Sequence, residues 1–115
     1  MGNATRTPLV WLTGGIQSPP FSDAARYEAG MLLRLVQEGL SLGMPHSRPL
    51  PSVGPRCNEL RVKDVGHEWR IVYRIDPTCI VVVAVFDKKG KPMQQREFKK
   101  ATKAIAQFDR DTKPS

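Results

Sequence analysis

The chain has 115 residues, 40% hydrophobic and 25% charged, with a formal net charge of +7. That length suits one compact domain with a core that needs no staples. The composition excludes wholesale disorder and a fibrous repeat, and no apolar run approaches the ~18 residues of a membrane span.

The longest apolar block, Ile80–Phe86, is strand-sized. No basic segment leading into an apolar stretch opens the chain, so no secretion signal is expected. Cys57 and Cys79 make neither a disulfide framework nor a metal spacing. They read as reduced, half-buried thiols of a cytoplasmic protein. The charge is uneven: residues 1–56 carry +2 and residues 57–115 carry +5. Such a bias suits a polyanionic partner, although a solvated basic face is the plainer reading.

In chain order, Leu9–Leu12 is an apolar run that stops at Thr13-Gly14-Gly15, a first strand. After Pro19-Pro20, Ser22 is suited to cap a helix, with Asp23 in its first turn, where the helix dipole favours an anion. The helical period continues to about Glu38. Ala25, Ala29, Leu32, Leu35 and Val36 form one apolar stripe, and Gly39 is the stop. Glu28 falls inside that stripe. It is either an edge residue, a partner of a sheet arginine, or a titrating acid at a site.

Residues 41–56 hold four of the ten prolines and two glycines. They read as a long loop, hostile to helix or strand, carrying His46 and Arg48. Cys57–Lys63 then alternates, with Glu59, Arg61 and Lys63 on one face. Trp69–Ile75 alternates more clearly: Trp69, Ile71, Tyr73 and Ile75 on one face, Arg70, Val72 and Arg74 on the other. The connections Asp64–His67 and Asp76–Thr78 are hairpin-length, and His67 reads as a surface residue of its turn. Cys79–Phe86 is apolar throughout, as in a central strand covered on both faces. After a basic turn, a last helix runs from about Met93 or Gln95 to Asp109. It buries Phe98, Ala101, Ile105 and Phe108, and the tail from Asp111 is expected to be disordered. The whole predicts a single domain over 1–115 with its core at about 8–109. The class is α+β: a mainly antiparallel four-stranded sheet with both helices packed on one face.

No phosphate-binding loop, dinucleotide fingerprint or zinc motif is present, and no cofactor or metal is expected. What remains is a basic constellation. Arg61 and Arg70 sit mid-strand on one face of neighbouring strands, Arg74 follows four residues on, and Lys88 and Lys89 follow the central strand. Cross-strand neighbours lie ~5 Å apart. Like charges that close need a counterion, whether Glu59, Asp76, Asp87 or a bound anion. Alternating ion pairs on a wet face and a polyanion cleft both fit this spacing.

Glu59-Leu60-Arg61, Trp69-Arg70-Ile71-Val72-Tyr73, Phe86-Asp87-Lys88-Lys89 with Pro92, and a helix with Ala101 together resemble the RelE/HigB superfamily of toxin–antitoxin toxins. The similarity is to its phage-derived branch, as are Ser18–Ser22 and Pro45–Pro49. The resemblance implies a RelE-like fold, ribosome-dependent mRNA cleavage without metal, and neutralisation by a cognate antitoxin, in this branch typically a helix-turn-helix protein. It implies catalytic roles for Arg61, Arg70, Lys88, Lys89 and His46. Arg48, Arg74, Lys91, Arg96 and Lys100 are the further cations expected at the RNA. The last helix has Phe98 and Phe108 but no tyrosine in the place of the family's C-terminal catalytic one. Metal-free cleavage uses the ribose 2′-OH as nucleophile, so the protein must move protons and stabilise the phosphorane. Guanidinium groups suit the second task. Arg70→Ala is expected to relieve growth arrest with the fold intact. The alternative is a non-enzymatic binder of RNA or protein on the same fold.

Overall fold

A computed structural model describes residues 6–12, 21–88 and 90–113. The elements in chain order are β1 (Leu9–Trp11), α1 (Asp23–Gln37), β2 (Ser47–Pro49), β3 (Cys57–Asp64), β4 (His67–Ile75), β5 (Ile80–Asp87) and α2 (Lys91–Thr112). All five strands form one sheet in the order β1-β5-β4-β3-β2. The class is α+β as expected, but the sheet is mixed and has five strands, not four. β1 pairs parallel to β5, with Leu9 opposite Ile80. The added strand, β2, lies inside the segment expected to be pure loop and pairs antiparallel with β3. Its proline, Pro49, is tolerated because β2 is an edge strand, where a missing N–H breaks no ladder.

α1 starts as its sequence dictates. The Ser22 side chain accepts from the Ala25 N–H at 3.0 Å, and Asp23 sits in the first turn. Gly39, just past the C-cap Glu38, takes φ +88°, a conformation that costs a side-chain-bearing residue about 1 kcal/mol or more. Ala25, Ala29, Leu32, Leu33 and Val36 bury against Leu60, Val62, Trp69, Ile71 and Tyr73. Leu33 takes the buried place expected of Leu35, which is half-buried. A second tie fixes the helix entry. Asp64, at the end of β3, accepts from the Ser22 N–H at 3.0 Å, the Trp69 indole at 3.2 Å and the Val65 N–H at 2.9 Å. These donors hold its carboxyl well below the usual range.

α2 packs on the opposite face, so the expectation of two helices on one face is corrected. Its Ala101 and Ile105 join Val72, Val81, Val83, Ala84 and Phe86 in a second core. A register shift in β5 sets which of its later side chains join that core. Val72 faces Ala84 and Tyr73 faces Val82, which leaves Val83 as an extra residue. Without that bulge, alternation from Val81 would send Phe86 to the α1 side. With it, Phe86 faces α2 and meets Phe98 edge-on at 6.2 Å. The α2 helix also runs further than expected, through Thr112. No helix among the described residues is long and apolar enough to cross a membrane.

Candidate functional site

The β3–β4 ladder sets Arg61 directly opposite Arg70, and the β2–β3 ladder sets Arg48 opposite Glu59. The three guanidinium groups converge on one carboxylate oxygen. Glu59 Oε2 lies 3.0 Å from Arg70 Nε, 3.5 Å from Arg48 Nε and 3.8 Å from Arg61 Nε. Glu59 and Arg70 are sealed, with side chains 1% and 3% exposed. Arg61 and Arg48 reach solvent, at 27% and 42%. These are charge contacts without hydrogen-bond geometry: neither oxygen of Glu59 accepts a hydrogen bond. Three cations therefore share one buried anion, and the excess positive charge faces outward. The only carboxylate that meets Arg70 from the solvent side among the described residues is Glu68, 59% exposed, with Oε1 3.2 Å from Arg70 Nη2.

That charge borders a cavity of about 420 Å³ lined by Glu28, Pro45, His46, Arg61, Lys63, Glu68 and Arg70. His46 is fixed through its backbone, whose carbonyl accepts from the Arg61 N–H at 2.9 Å. β2 is thus what carries His46 and Arg48 to the site, although its segment reads as loop. Glu28 is a half-buried wall residue with no ion pair among the described residues.

Lys88 stands apart from this cluster. It is exposed and lines an adjoining hollow of about 530 Å³ with Lys63, Asp64, Gly66, His67, Glu68 and Asp87. Lys63 and Glu68 belong to both walls. Lys89 lies outside the described residues. Arg74, placed with the RNA contacts by its spacing, is instead taken up structurally. It is 8% exposed and grips Asp76 and Asp109 with four hydrogen bonds of 2.7–3.0 Å. Those carboxylates hold its guanidinium firmly charged. Lys91, Arg96 and Lys100 are exposed along α2, Lys100 with Nζ 3.7 Å from Glu97.

Arg70 was expected to be replaceable without harm to the fold. Its burial against Glu59 corrects that, because removing one partner leaves the other charged and sealed. His67, which the sequence assigns to the surface of its turn, is instead engaged at the start of β4. Its Nδ1 is 2.7 Å from Asp87 Oδ2, and its ring stacks on Trp69 with centroids 5.0 Å apart. The signal lay in the antiparallel register of β4 and β5, which sets Asp87 opposite Trp69, two residues from His67 on the same face.

No curated protein and no solved structure matches the chain. A family model described as phage-derived protein Gp49-like (DUF891) matches residues 20–106. That span runs from the start of α1 to well into α2 and includes every residue of the arginine cluster. The chain therefore belongs to the phage-derived Gp49-like family.

Proposed function

We propose that this protein is the toxin of a type II toxin–antitoxin system, a cytoplasmic endoribonuclease of RelE/HigB kind that cuts ribosome-bound mRNA and is silenced by a cognate antitoxin, a helix-turn-helix protein. Family membership supports a toxin. The observation that carries the chemistry is the convergence of Arg48, Arg61 and Arg70 on buried Glu59. Glu59 anchors the guanidinium groups, so they need not reorganise when negative charge develops nearby, the condition under which fixed cations stabilise a phosphorane best. A message phosphate entering the cavity displaces the exposed Glu68 carboxylate from Arg70 and meets Arg61 directly. The ribosome supplies the positioning of the message that a small open cavity does not.

Induction in bacteria should arrest growth, and mapping of transcript 5′ ends should show new cuts inside translated frames. Arg61→Ala should relieve the arrest. It is a better test than Arg70→Ala, because Arg61 reaches solvent and Arg70 does not. The burial of Arg70 favours a second reading, a binder that holds RNA phosphates without cutting. Arrest with intact transcripts would select it.

A further inference from the structure

We infer that the outward face of α1 is a docking surface for an acidic amphipathic helix of the proposed antitoxin, which sets an aliphatic side chain over Gly30 and carboxylates on Arg26 and Arg34. The partner's identity rests on the toxin reading above. The surface itself depends on α1 alone.

α1 spends Ala25, Ala29, Leu32, Leu33 and Val36 on the sheet. On the helical period, the opposite side presents Tyr27, Gly30, Met31 and Arg34. This is not the polar surface that a solvated helix shows. Tyr27 is 72% exposed and Met31, one turn on, is 46% exposed.

Nothing in the fold requires a glycine at position 30. Gly30 lies in the middle of α1, where only proline is less favourable to a helix. A Cβ placed on it would meet no atom within 4 Å beyond its neighbours on the helix. What the missing side chain does is open a notch of about 370 Å³, lined by Arg26, Tyr27, Gly30, Met31 and Arg34.

The shape of the notch selects a helix. Tyr27, Gly30, Met31 and Arg34 stand at i, i+3, i+4 and i+7, the spacing of the four residues that form a hole for one knob of a facing helix. A glycine in that set lets the facing backbone come close, and Tyr27 and Met31 give the knob its apolar wall. The charge of the notch selects an acidic helix. It holds two guanidinium groups and no carboxylate. The acids on this side of α1, Asp23 and Glu38, lie towards its two ends, and Glu38 faces Arg6 at 3.8 Å. A second copy of this chain is disfavoured by the same charges. Two α1 helices crossing at Gly30 set Arg26 against Arg34 if antiparallel and arginine against its own copy if parallel.

The test uses the full chain and, as probe, the purified product of the reading frame that adjoins this one. Calorimetry should show a complex whose affinity falls with added salt. Gly30→Ala should raise the urea midpoint of the free chain, because nothing in the fold opposes the methyl group. Gly30→Leu should still arrest growth on induction, bind the probe about tenfold more weakly or worse, and escape its neutralisation. Arg34→Glu should weaken binding likewise. If Gly30→Leu binds the probe at wild-type affinity, the inference fails and the toxin reading stands on the growth arrest. If Gly30→Leu instead weakens binding of an uncleavable oligoribonucleotide and keeps the probe, the notch holds RNA and the inference fails. If the wild-type chain does not bind the probe, the inference fails, and arrest on induction of the chain alone still decides the toxin reading. If the wild-type chain causes no arrest while Gly30→Leu loses the probe, the toxin reading fails and the docking surface stands.

Discussion

Arg70 Nε lies 3.0 Å from Glu59 Oε2, and both side chains are shut off from solvent beneath a cavity whose rim is cationic. Burying two charges costs several kcal/mol, and their attraction offsets this only while both are present. Glu59→Gln removes the one anion shared by three arginines. It should destabilise the protein by about 3–5 kcal/mol, read as a lower urea midpoint with an unchanged denaturant slope. The double variant Glu59→Leu/Arg70→Met should recover about half of that loss or more, since an apolar pair of similar volume needs no partner. It should nevertheless be inactive. Recovered stability with lost toxicity would place the pair in service of the site rather than of the fold.

Arg74 does the reverse and serves the fold. It ties β4 to α2 through Asp109 and to the following turn through Asp76, with Phe108 6.0 Å beneath its guanidinium. Hydrogen bonds from Arg74 lower the Asp109 pKa. A carboxyl depressed on folding stabilises fully above its unfolded value, about 3.9. That stabilisation is lost as pH falls through the lower folded value. Thermal melts followed by circular dichroism from about pH 6 to about pH 2 should therefore show an acid decline that Asp109→Asn flattens. Because Asp109 is 53% exposed, water screens the pair and the flattening should be partial.

The sequence makes local elements plain because their causes are local. Ser22 caps α1, Gly39 ends it, and the alternation in residues 57–75 sets β3 and β4 with the arginines on one side. What it hides is decided at long range. Three residues of β1 do not say whether they pair parallel or antiparallel. Pro49 argues against a strand until β2 is seen to be an edge. The run Ile80–Phe86 is apolar on both faces, so its alternation gives no sign of the extra residue at Val83. That one residue decides that Ala84 and Phe86, and not Val85, join Val81 and Val83 beneath α2. In the site, Glu59 is visible as one possible counterion. That all three guanidinium groups meet on one of its oxygens requires β2, the element the proline content conceals.

Tyr73 sits in the α1-side core with its hydroxyl 2.9 Å from Ser47 Oγ, both groups buried. Burial pushes the phenol pKa up, so the hydroxyl stays neutral. This bond fastens the first residue of β2 to β4 across β3, and β2 carries Arg48. Tyr73→Phe leaves the Ser47 hydroxyl buried without its partner and should cost about 1–3 kcal/mol, measured by urea unfolding. Tyr73→Phe/Ser47→Ala should cost less than Tyr73→Phe alone, since no orphaned hydroxyl remains. Equal losses in the two variants would mean that the bond is not what holds the edge strand.

The cationic rim makes its own demand on RNA binding. Each phosphate neutralised on single-stranded nucleic acid contributes about 0.7 to the slope of log affinity against log salt. Arg61 and Arg48 are the members of the cluster with solvent access, so each should account for about one such contact. Arg48→Ala and Arg61→Ala should each reduce the slope by roughly 0.7 for an uncleavable oligoribonucleotide, with equal effect across base sequences, because phosphate contacts carry no sequence information. Arg74→Ala should leave the slope unchanged, its guanidinium being spent on Asp76 and Asp109. A lower slope in Arg74→Ala, or none in Arg61→Ala, would show that the strand runs along α2, past Arg96 and Lys100, and not over the cavity.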